Sequence, residues 1–445
     1  MRTGIIGAGA SGLSLALMLD GEFTIFERRD RTGGHCQTTI RDGWTFDQGP
    51  HIMFSKNLDV LNFMIKSLGD NIHQSTRNNK VFIDHRMVKY PFENDLASLD
   101  LSSRARCLLT YLFNEHASLA MAPTDLSEWF LGNFGEGMTE LYFRPYNEKL
   151  WNVALEELSM TWSERIPLPP ARDVVLGALG QSTEGYLHQL HYHYPLEGGY
   201  EAITAAWTKR IAPDSMRLNA EVRRIERVDG GVMVTSVAGS SVFDRVVSTV
   251  PLPILLELVP DVPDRVRDAV TSLRLNPVNV ITLGYRGTNR GEYTAVYFAD
   301  EGYLPNRISG PSVFSPRNAP DGHFSLQAEI TYPPGERFNE MTDASLVQHV
   351  HDGIVAAGMV DAANDPVFED VQRMPHAYVV YTKGYEAAVS VVGEWARSLG
   401  IELHGRFGAF DYLNVDGCVA RSQALATMLN GRETALPSVP DGGRR

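Results

Sequence analysis

Gly7-Ala8-Gly9-Ala10-Ser11-Gly12 is the stretch that decides the fold. It follows the apolar run ending in Ile5-Ile6 and opens a helical apolar spacing over 13–19. Gly7 permits the tight turn, Gly9 lets a pyrophosphate approach the backbone, and Gly12 lets the helix pack on the strand. Phosphates then meet unpaired N–H groups at the positive helix end, beside Ser11. Glu27 ends the next strand, 23–26, about 20 residues on, where a carboxylate takes ribose hydroxyls; Arg28 follows it. A mixed α/β fold with a Rossmann-like dinucleotide site follows from this spacing. Glu27 does not separate FAD from NAD, since both carry that ribose.

Outward from this turn, 56–190 reads as helix-rich. Leu61, Met64, Ile65 and Leu68 share a face, and 105–113 and 125–134 are further helices. Strands return over 217–227, 231–237 and 243–248. The segment 256–395 reads as strand-rich, with 278–285, 294–298 and 324–331 as strands and one helix, 344–357. A strand, a glycine turn and a helix fill 403–430, and 437–445 reads as a frayed tail. With 445 residues, 43% of them hydrophobic, the chain has material for two or three domains. No apolar run reaches the ~18 residues of a membrane helix. Met1-Arg2-Thr3 leads straight into the first strand, so no secretion signal is expected. Cys36, Cys107 and Cys418 form neither a metal spacing nor a disulfide framework, so the expected compartment is the cytoplasm. No acid or cysteine accompanies His188, His191 and His193 at a metal-binding spacing, and no metal is expected. The net charge of −14 argues against nucleic acid; an anionic substrate would need a local basic pocket.

Two further segments extend the glycine motif. Arg31-Thr32-Gly33-Gly34 is a second glycine turn. Gly405-Arg406-Phe407-Gly408, then Asn414-Val415-Asp416-Gly417 and a helix opening at Cys418, form a late helix N-terminus. This arrangement resembles the FAD-binding family that contains amine oxidases, protoporphyrinogen oxidases and UDP-galactopyranose mutases. The resemblance implies FAD. Its binding domain would be assembled from 1–55, 195–255 and 396–436, with Val222 giving backbone contacts to the adenine. A mainly helical nucleotide-binding domain is expected over 56–194, and an antiparallel sheet domain over 256–395.

Finer motifs look like the mutase branch. Phe46-Asp47-Gln48-Gly49-Pro50-His51 is similar to its histidine loop, which implies His51 over the flavin face. Tyr90-Pro91-Phe92-Glu93-Asn94 is similar to the segment that stacks the nucleobase. Arg144-Pro145-Tyr146-Asn147-Glu148-Lys149-Leu150-Trp151 is similar to the nucleotide-binding helix. Trp162-Ser163-Glu164-Arg165, Leu304-Pro305-Asn306-Arg307, Gly384-Tyr385 and the run from Arg406 to Tyr412 resemble the arginines and tyrosines around the diphosphate. Pro50 stands where that branch usually has glycine, and proline fixes φ.

The residue chemistry agrees with this likeness. Arginine offers a diphosphate planar, permanently charged donors, and Arg165, Arg307 and Arg406 are expected to converge on one cleft. Tyr146, Tyr385, Tyr412 and Trp151 could equally be core residues. The resemblance implies a nucleotide-sugar mutase that exchanges pyranose and furanose rings, with reduced flavin as covalent nucleophile and NAD(P)H allowed as reductant. Glu93 stands where the family usually has glutamine. A carboxylate only accepts, which suits the paired donors of guanine better than uracil, so a GDP-linked sugar such as GDP-fucose is favoured. The expected partner is a nucleotide sugar, with no nucleic acid and no membrane; a homodimer is allowed. The competing readings are an oxidase or desaturase of the same fold, a non-catalytic sugar-nucleotide binder, and a nicotinamide-using variant.

Overall fold

The structure, a computed structural model, describes residues 1–166, 168–181, 183, 190–333 and 341–439. His188 and residues 440–445 of the expected tail lie outside these. The glycine turn sits in a five-stranded parallel sheet, ordered Ile401–Leu403, Arg245–Ser248, Arg2–Ile6, Glu22–Phe26 and Met216–Arg217. Its strands come from the beginning, middle and end of the chain. The first helix, Ala10–Ala16, starts three residues earlier than its apolar spacing indicated and packs against the closing helix, Val415–Asn430. Ser14 and Ser422 share a 2.8 Å hydrogen bond in that interface, and His404 Nε2 lies 2.8 Å from the same Ser422 hydroxyl.

A seven-stranded sheet forms the second layer. Its order is Phe368–Val380, Arg274–Arg286, His323–Thr331, Arg307–Ser309, Ala295–Phe298, Asn79–Ile83 and Arg86–Lys89. The last two strands fall in a stretch that reads as helix-rich. They close at a two-residue turn, Asp84-His85, with both φ positive (47° and 57°), the geometry of a tight hairpin. Alternation gives the sheet two unlike faces. Ile281, Leu283, Leu326, Ala328, Ile308 and Val296 pack against the helix Asp343–Ala356. The opposite face carries Thr282, Ser325, Gln327 and Glu329, none more than 3% exposed. That polar face positions the site.

Three other expectations need correction. Phe368–Val380 is a 13-residue strand. It escapes a propensity reading because Asp370, Arg373, Pro375 and His376 interrupt its apolar pattern. The segment expected to hold one helix also contains Asp264–Ser272 and Tyr385–Ser398. The strand expected over 243–248 divides at Asp244 into Gly239–Phe243 and Arg245–Ser248. Among the described residues no helix is long and apolar enough to cross a membrane, and no group of acids, histidines and cysteines could hold a metal.

Candidate functional site

The glycine turn has the geometry of a cofactor cradle. Gly7 has φ +104°, and a Cβ on Gly12 would lie 2.0 Å from the Gly7 carbonyl oxygen. A Cβ on Gly9 would meet only Gly34 Cα, at 3.7 Å, an ordinary contact. The Glu27 carboxylate is buried at this turn and accepts the Ala8 N–H at 2.9 Å and the Arg29 N–H at 3.0 Å. The helix beginning at Ala10 has no side-chain cap, and neither has the one beginning at Val415. Gly405, at φ +79°, approaches Ser11 so closely that a Cβ would lie 2.5 Å from its hydroxyl. Two uncapped helix ends and an acid at ribose distance along the chain fit a dinucleotide.

Other residues expected there are placed less directly. Gly33 and Gly34 both take positive φ beside Gly9. Val222 pairs with Ser236 and is followed by a register shift. Arg28 is exposed and Asp416 half-buried in the closing helix. Cys418 is buried, and burial raises its thiol pKa, as it does for Cys36, so neither is a reactive thiolate.

A cavity of about 300 Å³ opens beside this region. Arg165, Arg307, Tyr90, Glu93, Tyr146, Asn147, Trp151 and Tyr412 all line it, as does Asn414 at the head of the closing helix. The helix Arg144–Trp151 supplies Tyr146, Asn147, Leu150 and Trp151 from successive turns. Just before it, the widened π-turn Thr139–Phe143 brings both Tyr142 and Phe143 to the wall. Trp151 stacks on Trp162 at 4.1 Å between centroids.

Three residues expected to bind the substrate are not among those lining the cavity. Phe92 is fully buried behind the wall, its ring stacked on Tyr142 at 4.8 Å. Tyr385 stacks on Tyr381 at 4.3 Å, and its hydroxyl donates to Thr161 Oγ1 at 3.3 Å. Arg406 lies against the rings of Tyr412, at 4.1 Å, and Tyr378, at 5.3 Å. Its terminal nitrogens donate to the carbonyls of Leu413 and Ala377, both at 3.1 Å.

The charge at Arg307 is balanced from the sheet. Its Nε donates to Glu329, whose other oxygen accepts the Tyr378 hydroxyl at 3.0 Å. Burial disfavours the Arg307 cation, yet the Glu329 carboxylate prevails and holds its pKa above the usual arginine value. Its terminal nitrogens make no hydrogen bond to a described residue. Arg165 lies at the exposed mouth, over the Tyr412 ring at 4.8 Å, and donates to the Tyr412 carbonyl. Glu93 is 4% exposed.

His51 stands two residues after Gly49, where a Cβ would lie 3.8 Å from Glu329 Oε1. This puts the histidine loop beside the Arg307–Glu329 pair. His51 Nδ1 bonds the Gly49 carbonyl at 2.8 Å, and its ring leans on Tyr200 at 5.1 Å. Burial lowers its pKa to about 4, outweighing that hydrogen bond, so the ring is neutral at pH 7 with Nε2 as an acceptor. His35 is lowered by burial to about 3 and packs on Phe407.

Glu329, Tyr378, Tyr297, Asn306 and Tyr142 were not singled out by sequence reasoning. For Glu329 a signal existed: Ser325, Gln327, Glu329 and Thr331 alternate with the apolar Phe324, Leu326, Ala328 and Ile330.

The fold is similar to a crystal structure of reduced UDP-galactopyranose mutase, with a TM-score of 0.89 and 24% identity over all of this chain and 96% of that one. Mitochondrial protoporphyrinogen oxidase of Nicotiana tabacum is 22% identical over 98% of this chain and 94% of its own length. A 4,4'-diapophytoene desaturase of Staphylococcus aureus (strain Newman) is 28% identical over 29% of this chain and 21% of its own. The model of the flavin containing amine oxidoreductases matches residues 10–386, and the chain is a member of that FAD-dependent family.

Proposed function

We propose that this chain interconverts the pyranose and furanose forms of a nucleotide-diphosphate sugar, with reduced FAD as covalent nucleophile. One observation carries the reading: the cavity beside the cofactor segments joins two guanidinium groups, Arg165 and Arg307, to an aromatic wall. A simple oxidase of apolar substrates has no use for those cations, whereas a leaving diphosphate needs them.

Gly9, Gly12, Ser11, Glu27, Gly405 and the head of the closing helix would hold FAD. The cofactor, when bound and reduced, supplies a nucleophilic ring nitrogen. The residues do the rest. Glu329 fixes Arg307 at Nε, which leaves its terminal nitrogens for phosphate oxygens. Arg165 closes the mouth against Tyr412. Trp151, Trp162 and the tyrosines keep water from the sugar. Neutral His51 orients the cofactor edge as an acceptor. For the base, Glu93 favours guanine, whose adjacent N–H donors match a carboxylate, over uracil.

The test begins with the absorbance spectrum of purified protein. GDP- and UDP-linked sugars are then supplied after reduction by dithionite or NAD(P)H. Ring exchange that requires reduced flavin is expected, with GDP displacing substrate better than UDP and Glu93→Gln reversing that order. A second reading, amine oxidation, draws on the buried Glu93 carboxylate among tyrosines, which suits a cation. Oxygen consumption with an amine and no ring exchange would establish that reading instead.

A further inference from the structure

The buried carboxylate of Asp47 has no part in the chemistry above, yet it joins three distant pieces of chain. It accepts the Thr38 hydroxyl at 2.6 Å, the Tyr194 hydroxyl at 2.7 Å and the Tyr200 N–H at 2.9 Å. Its backbone carbonyl accepts Gln327 Nε2 at 3.0 Å and the Gly49 N–H at 2.8 Å. Gly199 makes room for this junction: at φ +62°, its Cβ would lie 2.4 Å from Thr38 Oγ1 and 2.8 Å from Asp47 Oδ1. Tyr200, held by Asp47 at its N–H, is the ring against which His51 leans. The polar sheet and the histidine loop, through the backbone carbonyl, and the turn ahead of the helix Glu201–Thr208, through the carboxylate, therefore meet at one residue.

We propose that Asp47 is a positioning residue: its ionised carboxylate gathers Thr38, Tyr194 and Tyr200 into a hub that fixes the His51 ring beside the cofactor, and protonation releases the ring. All three partners donate here and the Tyr200 N–H can only donate, so the ionised carboxylate satisfies all three at once. A neutral carboxylic acid, or an amide, brings a donor that only the Thr38 or Tyr194 hydroxyl could take, and only by turning its own proton away. The groups facing Asp47 supply no compensating cation among the described residues. They are Glu201 and Cys36, the phenols of Tyr194 and Tyr200, and the Gln327 amide; Arg31 pairs with Glu201 at 3.4 Å. Burial accordingly pushes the Asp47 carboxyl up to about 6, despite its three donors. Keeping it charged at neutral pH lowers the stability of the folded chain.

The inference rests on FAD lying beside His51 and not on the nucleotide-sugar reading, so its test uses no substrate. Wild-type and Asp47→Asn holoproteins are compared by thermal midpoint, by visible circular dichroism of the bound flavin, and by hydrogen exchange at the Tyr200 amide, from pH 8 to pH 5. Asp47→Asn is expected to keep or raise the midpoint at pH 7.5, yet to show an altered flavin band and faster exchange. Wild type should pass into that same state near pH 6, and Asp47→Asn should show no such transition. Tyr194→Phe removes one donor and keeps the charge, so it should move the wild-type transition to higher pH; it serves also if the amide variant does not fold. An Asp47→Asn protein with the wild-type flavin band at every pH, or a transition unmoved in Tyr194→Phe, overturns the proposal.

Discussion

Arg307 and Glu329 constrain each other, and the consequence can be measured. Arg307→Ala is expected to cut turnover heavily while FAD stays bound, since losing a charged contact to a diphosphate costs ~2–5 kcal/mol. It also strands the buried Glu329 carboxylate. Arg307→Met with Glu329→Gln should therefore melt higher than Arg307→Ala alone, while being no more active; equal midpoints would show that the pair is not buried in solution. Histidine titration sets the acid limit. His51 and His404 are lowered by burial from 6.5 to about 4. Above pH 6.5 neither folded nor unfolded chain binds those protons. Below it the unfolded chain takes protons that the folded state refuses, so stability falls until about pH 4, by roughly 2–3 kcal/mol per group. Asp47 opposes this: its raised pKa lets the folded state gain a proton between about 6 and 3.8. The thermal midpoint should fall from pH 7 to pH 4, and His404→Gln should flatten that curve.

At the scale of elements, the glycine turn separates cofactor binding from folding. Gly9→Val is expected to fold and lose FAD, because a Cβ there makes only an ordinary contact with Gly34 Cα while the side chain would stand where the pyrophosphate approaches the backbone. Gly12→Ala should damage the fold itself, since its Cβ would be driven into a backbone carbonyl. Matching midpoints for the two apoproteins would remove this distinction. The same turn was the most legible part of the chain, because its meaning lies within six consecutive residues. The polar sheet face was less so. Phe92 and Tyr90 are two residues apart around Pro91, and nothing local tells that one ring lines the cavity while the other fills the core. Arg406 shows the same limit: its glycine context marks a special turn, but not that nearby carbonyls occupy its guanidinium. Phe368–Val380 has its register fixed by Arg274–Arg286 across the sheet, information absent from its own composition.

For the molecule as a whole, the net charge of −14 opposes an anionic ligand that the cavity arginines attract. Distant repulsion is screened before close contacts are, as the Debye length shrinks from ~30 Å at 0.01 M salt to ~10 Å at 0.1 M. Association of a nucleoside diphosphate, followed by stopped flow, should accelerate over that range; a steady decline would mean that the arginines dominate even at long distance. One feature of the parallel sheet bears on biosynthesis. Its edge strand, Ile401–Leu403, and the helix packed on the glycine turn come from the last tenth of the sequence, while the turn itself comes from the first dozen residues. The glycine motif therefore gains its last neighbours only once residues 401–430 have left the ribosome, and nascent chains halted before residue 400 should emerge without the cofactor.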